Sequence, residues 1–178
     1  RSFSNIKKLL DYVSLLFKHI FDQELILIIP LNEKGEVWLE NIKFSGNIKY
    51  CKLQKELNNF ILKFKFSKNF KIRELASFET SLKSKFRKFK IESHKLSSRG
   101  KCRGFIYVFN SENVNKSIIK NSNFNFIVDC LTVGLENYWL IKIKKRHENV
   151  DREISTGAQI QSQLLPDYCP TIDGVDLA

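Results

Sequence analysis

Cysteine and histidine are among the side chains of this sequence that could hold a metal ion or attack a substrate. They are widely separated, with no Cys-x-x-Cys pair: Cys51, Cys102, Cys130, Cys169, His19, His94 and His147. A structural zinc site needs ligand pairs at short spacing, and a disulfide framework is typical of short secreted chains. Neither pattern is present, so we interpret the cysteines as free thiols and assign no catalytic residue, metal ligand or cofactor site to the chain.

A basic and aromatic segment between residues 62 and 95 could contact nucleic acid. It holds 11 Lys or Arg against three Glu, in a chain whose net charge is +11. Phenylalanines are interleaved with these charges, among them Phe66, Phe70, Phe78, Phe86 and Phe89. Basic and aromatic side chains together can follow a phosphate backbone and stack on bases, or lie on anionic membrane. These phenylalanines have core spacing, which favours a solvated basic face, so we expect neither partner; an acidic protein is the open alternative.

The length and composition suit one soluble domain with an appendage. The chain has 178 residues, of which 43% are hydrophobic and 15 are Phe. Its longest apolar run, from Leu25 to Leu31, is far shorter than the roughly 20 residues that a membrane-spanning helix needs. We therefore expect a cytoplasmic protein with no membrane segment.

The first third of the chain predicts a helix followed by a β-hairpin. Residues 4–21 have apolar side chains at the spacing of a one-sided helix, with Ser4 as its N-cap. Residues 24–31 are almost entirely apolar and predict a central strand. A turn at 32–35 follows, in which Gly35 can adopt a positive φ. Residues 36–44 alternate and predict the partner strand.

Two helices and a second hairpin are predicted next. The helix at 50–64 has one apolar side, formed by Leu53, Leu57, Phe60, Ile61 and Phe64. A second helical stripe contains Leu75, Phe78, Leu82, Phe86 and Phe89. Strands at 91–96 and 102–110 surround a turn at 97–101, and the second strand is apolar on both sides, as in a strand covered on both faces.

This order of elements predicts an α+β fold in which an antiparallel sheet carries helices segregated to one side. The succession over residues 1–147 resembles a GAF domain, a bacterial sensory module, and residues 103–108 resemble its penultimate strand. A PAS-like sensor is the alternative. A ligand would lie between the sheet and residues 48–89, although the side chains of that segment could fill the space themselves.

One long helix is predicted from about residue 124 to Pro166, where proline ends the hydrogen-bond ladder. Its first half has the 4-3-4-3 spacing of a coiled-coil seam, formed by Phe124, Val128, Leu131, Leu135 and Tyr138. Lys142 and Lys145 interrupt this seam. An apolar pattern then resumes one residue out of phase, at Ile143, Val150, Ile154 and Gly157, which alters the winding of a helix pair. We expect a parallel homodimer through this helix; the alternative is that residues 124–138 pack on their own domain.

The end of the sequence resembles the entry into the catalytic domain of bacterial metal-dependent serine phosphatases of the RsbU/SpoIIE type. The matching positions are Gly157, Ile160, Gln161, Leu164, Leu165, Pro166, Pro170, Gly174 and Ala178. The resemblance implies a signalling linker at 148–166 and the start of a truncated phosphatase domain at 167–178. The metal-binding aspartates of the family come later than this point, and none of the aspartates at 151, 167, 173 and 176 matches them.

The resemblance implies the regulatory sensor and dimerisation segment of a phosphoserine phosphatase that acts in sigma-factor regulation. The parent enzyme would use Mn²⁺ or Mg²⁺ to activate water, whereas this segment would supply control and no chemistry. A non-catalytic interaction or scaffold domain is the alternative, and a basic nucleic-acid-binding domain is a weaker one.

Overall fold

A computed structural model of the chain describes residues 5–21, 24–64, 72–111 and 117–164, without the side chains of residues 48, 72–74 and 111. The fold is α+β. The described residues form four helices, α1 (Ile6–Ile20), α2 (Cys51–Lys63), α3 (Ile72–Lys85) and α4 (Ser122–Leu164). They also form four strands, β1 (Leu25–Pro30), β2 (Lys43–Ser45), β3 (Phe89–Ser98) and β4 (Lys101–Ser111). Short 3₁₀ helices occupy Leu39–Asn41, Ile48–Tyr50 and Ile118–Lys120.

The strands form one antiparallel sheet in the order β2-β1-β4-β3. The predicted central position of β1 is confirmed, because it pairs with β2 on one side and with β4 on the other. All six of its side chains are buried. The two inner strands therefore form the apolar centre of the sheet, while β2 and β3 are its edges.

The predicted partner strand at 36–44 is mostly wrong. Only Lys43–Ser45 pair with β1, and before them the chain makes a single bridge between Leu31 and Val37. The ring of Trp38 lies 5.4 Å from that of Trp139 on α4, and a 3₁₀ turn follows it. The alternation of residue types is real, but the packing of the Trp38 ring outweighs β propensity here. The turn before it is as predicted, with Gly35 at a φ of +80°.

The second hairpin is confirmed but is longer than predicted. Its turn contracts to Arg99 and Gly100, which both have positive φ, at 48° and 76°. Two such residues in succession suit the right-handed twist of a tight hairpin. Phe89, predicted in the preceding helical stripe, instead begins β3.

Helices cover both faces of the sheet, so the prediction that they lie on one side is wrong. One face packs Ile26, Ile28, Ile106 and Val108 against α1 and α4. The other packs Leu25, Leu27, Ile29, Phe105, Tyr107 and Phe109 against α2 and α3. Successive side chains of a strand point to opposite faces, which confirms the prediction that the strand at 102–110 is covered on both.

The apolar stripe of α1 is confirmed, and its cap is corrected. The N-cap is Asn5 rather than Ser4, and its side chain accepts a hydrogen bond of 2.9 Å from the backbone N–H of Lys7. Ile6, Leu9, Leu10, Val13 and Phe17 are buried, whereas Ile20 at the end of the helix is exposed.

The chain divides into two compact units, Arg1–Trp139 and Leu140–Ala178. Within the described ranges, none of the helices has the length and apolarity that crossing a membrane requires.

Candidate functional site

The helix α4 carries most of the predicted site residues. It has 43 residues, which corresponds to about 65 Å at 1.5 Å per residue. Its first turn is capped by Asn121, whose side-chain oxygen accepts a 2.8 Å hydrogen bond from the N–H of Asn123. The long helix is therefore confirmed, and it begins two residues before the predicted start.

The predicted seam in the first part of α4 is a core stripe of the chain's own fold. Phe124, Val128, Leu131 and Leu135 are buried in the cluster that α4 forms with α1 and the sheet, and Tyr138 packs against that cluster. The second of the two alternatives for residues 124–138 is thus the one that the structure shows. The 4-3-4-3 spacing is common to both arrangements, because each needs one apolar side of a helix.

Gly134 lies where α1 packs closely on α4. A Cβ atom built at this residue would lie 2.7 Å from Cδ2 of Leu9, which is itself buried. At the other end of the contact, the rings of Phe17 and Phe124 are 5.6 Å apart. The earlier residue of α1 contacts the later residue of α4, and the later residue of α1 contacts the earlier one of α4. The two helices are therefore antiparallel. Sequence reasoning did not identify Gly134.

A buried ion pair joins α4 to the centre of the sheet. Nε of Arg103 on β4 donates to Oε2 of Glu136 on α4 over 2.6 Å, and each side chain is 10% exposed. Removing one partner of such a pair leaves an uncompensated buried charge, which is strongly destabilising. The pair therefore specifies how α4 lies against β4. The signal in the sequence is an arginine just before the apolar run from Phe105 to Phe109 of the same strand.

An aromatic cluster lies at the end of the first unit. Trp38, from the connection between β1 and β2, packs on Tyr138 and Trp139 of α4 at ring distances of 6.1 and 5.4 Å. The backbone N–H of Trp38 donates to the carbonyl of Pro30, and that of Leu31 to the carbonyl of Arg103. A displacement of the β1–β2 connection would therefore reach α4 through this cluster.

The later part of α4 presents a second stripe that the described residues do not cover. Val150, Ile154, Gly157, Ile160, Gln161 and Leu164 are exposed, with 66% exposure at Ile154 and 78% at Leu164. A Cβ atom at Gly157 would meet nothing within 4 Å, in contrast to Gly134. Residues 150, 154, 157, 161 and 164 follow the coiled-coil spacing. Leu165 lies outside the described residues, as do the matching positions that follow it.

Described side chains of residues 48–89 pack against the sheet in the space proposed for a ligand. Leu57, Ile61, Phe78 and Leu82 are fully or almost fully buried there. The hydroxyl of Tyr107 donates to Glu79 over 3.4 Å at this face. Burial raises the pKa of Tyr107 well above its usual value, and the neighbouring Glu79 carboxylate raises it further.

In the basic segment, the described phenylalanines belong to the core. Phe78 and Phe86 are buried, and Phe89 packs against the same cluster. Nζ of Lys85 lies 5.1 Å from the ring centre of Phe60, a cation–π distance. The remaining predicted phenylalanines, Phe66 and Phe70, lie outside the described residues. The aromatic rings described in this segment are therefore not placed to stack on bases.

The described cysteines are free thiols. Cys51 and Cys130 are exposed, and partial burial raises the pKa of the Cys102 thiol; Cys169 lies outside the described residues. Among the residues that the structure places, no three His, Cys, Asp or Glu side chains come together as a metal site would require.

The chain matches no protein-family profile, no curated protein and no solved structure.

Proposed function

We propose that this chain is the sensor and dimerisation segment of a bacterial, cytoplasmic, metal-dependent phosphoserine phosphatase that acts in sigma-factor regulation or a similar pathway. The observation that carries the proposal is that α4 has a buried apolar stripe in its first part and an exposed one in its later part. One helix supplies a core stripe to the folded unit and then, further along, an exposed apolar stripe at coiled-coil spacing. Such a helix can connect a folded sensor to a partner.

The exposed stripe supports a parallel homodimer. In a parallel pair each stripe residue meets its own copy, so the apolar Val150, Ile154 and Leu164 would cover one another. Burying exposed apolar side chains of this size contributes about 1.5–3 kcal/mol for each fully covered residue. The seam of the proposed dimer is therefore the later stripe, and not the residues from Phe124 to Tyr138.

A GAF-like sensor is supported by the order of the elements, which is α1, a hairpin, two helices, a second hairpin and α4. The phosphatase is supported by the residues after 157 that resemble the entry into that enzyme. Its Mn²⁺ or Mg²⁺ ions would be held outside the described residues of this chain.

Disulfide cross-linking tests the dimer. Ile154→Cys and Leu164→Cys, each made after Cys51, Cys130 and Cys169 are replaced by serine, should form intermolecular disulfides under mild oxidation. Both positions can pair with themselves only when the helices are parallel and in register. Ser155→Cys, on the opposite side of the helix, is the matched control and should stay reduced. A monomer mass near 20.9 kDa in light scattering at high micromolar concentration would contradict the dimer.

Activity of the gene product that includes whatever follows Ala178 tests the phosphatase. It should release phosphate from a phosphoserine peptide only when Mn²⁺ or Mg²⁺ is present. Ile154→Asp should change the rate by disrupting the helix pair, while Ser155→Asp should leave it unchanged. An inert product with an intact dimer would instead favour a scaffold domain, which the same exposed stripe could serve.

A further inference from the structure

A polar cleft lies at the free edge of the sheet, on the far side of β2 from β1. Its volume is about 470 Å³, within the range of small-molecule sites in proteins. Helix α1 forms one wall, β2 the floor and α2 the other wall. The side chains on which the argument depends are Leu15, Lys18, Lys43, Phe44 and Gln54. This cleft is separate from the space between the sheet and α2–α3.

The charges around the cleft favour a ligand with one negative charge. Nζ of Lys43 is paired with the carboxylate of Asp11, which also lines the cleft. Lys18 is exposed and makes no ion pair with any residue that the structure places. The lining therefore has one uncompensated ammonium group beside one carboxylate. The lining has a net charge of +1, which a monoanion neutralises and a dianion such as phosphate exceeds.

An unsatisfied hydroxyl lies in the same wall. Oγ of Ser14 is buried and has no hydrogen-bond partner among the described groups. Its backbone carbonyl is different, because it accepts a 2.6 Å hydrogen bond from Oγ of Ser45 and so ties α1 to β2. The hydroxyl oxygen has no accessible surface, so a ligand in the cleft contacts other side chains.

The rim of the cleft is apolar. Leu15 is 55% exposed although it belongs to the same helix as the core residues Val13 and Phe17. Phe44 is partly buried and packs against the second core cluster. A hydrocarbon group of the ligand would cover both side chains. Gln54 on α2 can donate or accept a hydrogen bond at the opposite wall.

We infer that this cleft binds a small organic monocarboxylic acid. The carboxylate contacts the ammonium of Lys18, while the hydrocarbon part lies on Leu15 and Phe44. Neither the position nor the ligand class depends on the proposed phosphatase role, because the inference concerns only contacts within the first unit. Failure of the phosphatase proposal would leave it standing, and its own failure would leave the dimer untouched.

Nuclear magnetic resonance titration of the ¹⁵N-labelled chain tests the inference. Phenylacetate and hexanoate are the probes, at pH 7 and about 150 mM salt, where weak surface ion pairing is screened. We expect saturable shifts confined to residues 11–18, 43–46 and 54, with a dissociation constant on the order of 1 mM. The uncharged 2-phenylethanol should bind more weakly, because it lacks the carboxylate.

Two lysines on the same helix separate a site from general attraction. Lys18→Gln should weaken phenylacetate binding about fivefold or more, since it removes a charge-assisted contact. Lys8 is exposed and lies outside the cleft, so Lys8→Gln should leave the affinity unchanged. Leu15→Ala should weaken phenylacetate more than acetate, because only the former carries a ring.

Three results would overturn the inference. Absence of saturable shifts would show that the cleft takes no such acid. Equal losses from Lys18→Gln and Lys8→Gln would show diffuse attraction to a basic protein. Inorganic phosphate that binds more tightly than the acids, with the same shifts, would show an anion site of another class.

Discussion

Arg103 and Glu136 form an ion pair of 2.6 Å between β4 and α4, with both side chains 10% exposed. The pair fixes one helix against one strand at the point where the aromatic cluster of Trp38, Tyr138 and Trp139 begins. An exposed pair on α4, Lys144 and Glu148 at 3.8 Å, has the same chemistry without the burial. The contrast between the two pairs makes their energetic roles separable.

A double-mutant cycle should find strong coupling in the buried pair. Arg103→Met or Glu136→Leu alone should lower the free energy of unfolding by about 3–5 kcal/mol, because each leaves an isolated buried charge. The double variant should lose much less than the sum, with a coupling energy of about 2–3 kcal/mol. Urea denaturation followed by circular dichroism measures all three. The corresponding cycle at Lys144 and Glu148 is the control and should show coupling close to zero; additive losses at the buried pair would contradict this role.

Charge substitutions should separate the two stripes of α4. Leu131→Asp and Leu135→Asp place a carboxylate in the core of the first unit, which costs several kcal/mol and approaches the whole stability of a domain. We therefore expect these variants to unfold, rather than to give folded monomers. Ile154→Asp should remain folded and lose self-association. Circular dichroism on these samples measures folding, and light scattering measures self-association. A folded Leu131→Asp chain would contradict the burial of Leu131 in the core.

The same change at two glycines of α4 should have opposite effects. Gly157→Ala should stabilise the helix by up to about 1 kcal/mol, the difference in helix propensity between Gly and Ala. Its Cβ meets nothing within 4 Å, so no contact opposes this gain. Gly134→Ala gains the same propensity but places a Cβ 2.7 Å from Leu9, and overpacking of this kind costs about 1–3 kcal/mol. Thermal unfolding should show Gly134→Ala as the less stable chain. A stabilised Gly134→Ala would mean that Leu9 moves aside freely.

Tyr107 should make stability depend on pH above its ordinary pKa of about 10. Burial and Glu79 raise the pKa of Tyr107 in the folded state. The protonated side chain therefore contributes its full stabilisation below pH 10. As the pH rises above 10 the unfolded chain loses the proton first, and stability falls by up to about 1.4 kcal/mol per pH unit. Tyr107→Phe should remove this dependence in urea denaturation between pH 9 and 11. The exposed Tyr12→Phe is the control, and identical pH profiles for wild type and Tyr107→Phe would refute the assignment.

Local periodicity was enough to predict α1, the central strand, the second hairpin and the long C-terminal helix. Each of these elements has a complete apolar side or run within its own sequence, as Ile6, Leu9, Val13 and Phe17 do in α1. Positive φ at Gly35 is equally local, since it depends on the turn alone.

The tertiary structure decided which surface covers each apolar side. A stripe such as Phe124, Val128, Leu131 and Leu135 has the same spacing whether it faces a second helix or its own sheet, so only packing could distinguish them. The alternation at 36–44 does not give a strand over that range, because Trp38 packs on Trp139, which lies more than a hundred residues later in the chain. The Arg103–Glu136 pair, the approach of Gly134 to Leu9 and the cleft beside Lys18 each join distant segments. The spacing of apolar residues shows which side of an element is buried. It does not show which other element packs against that side.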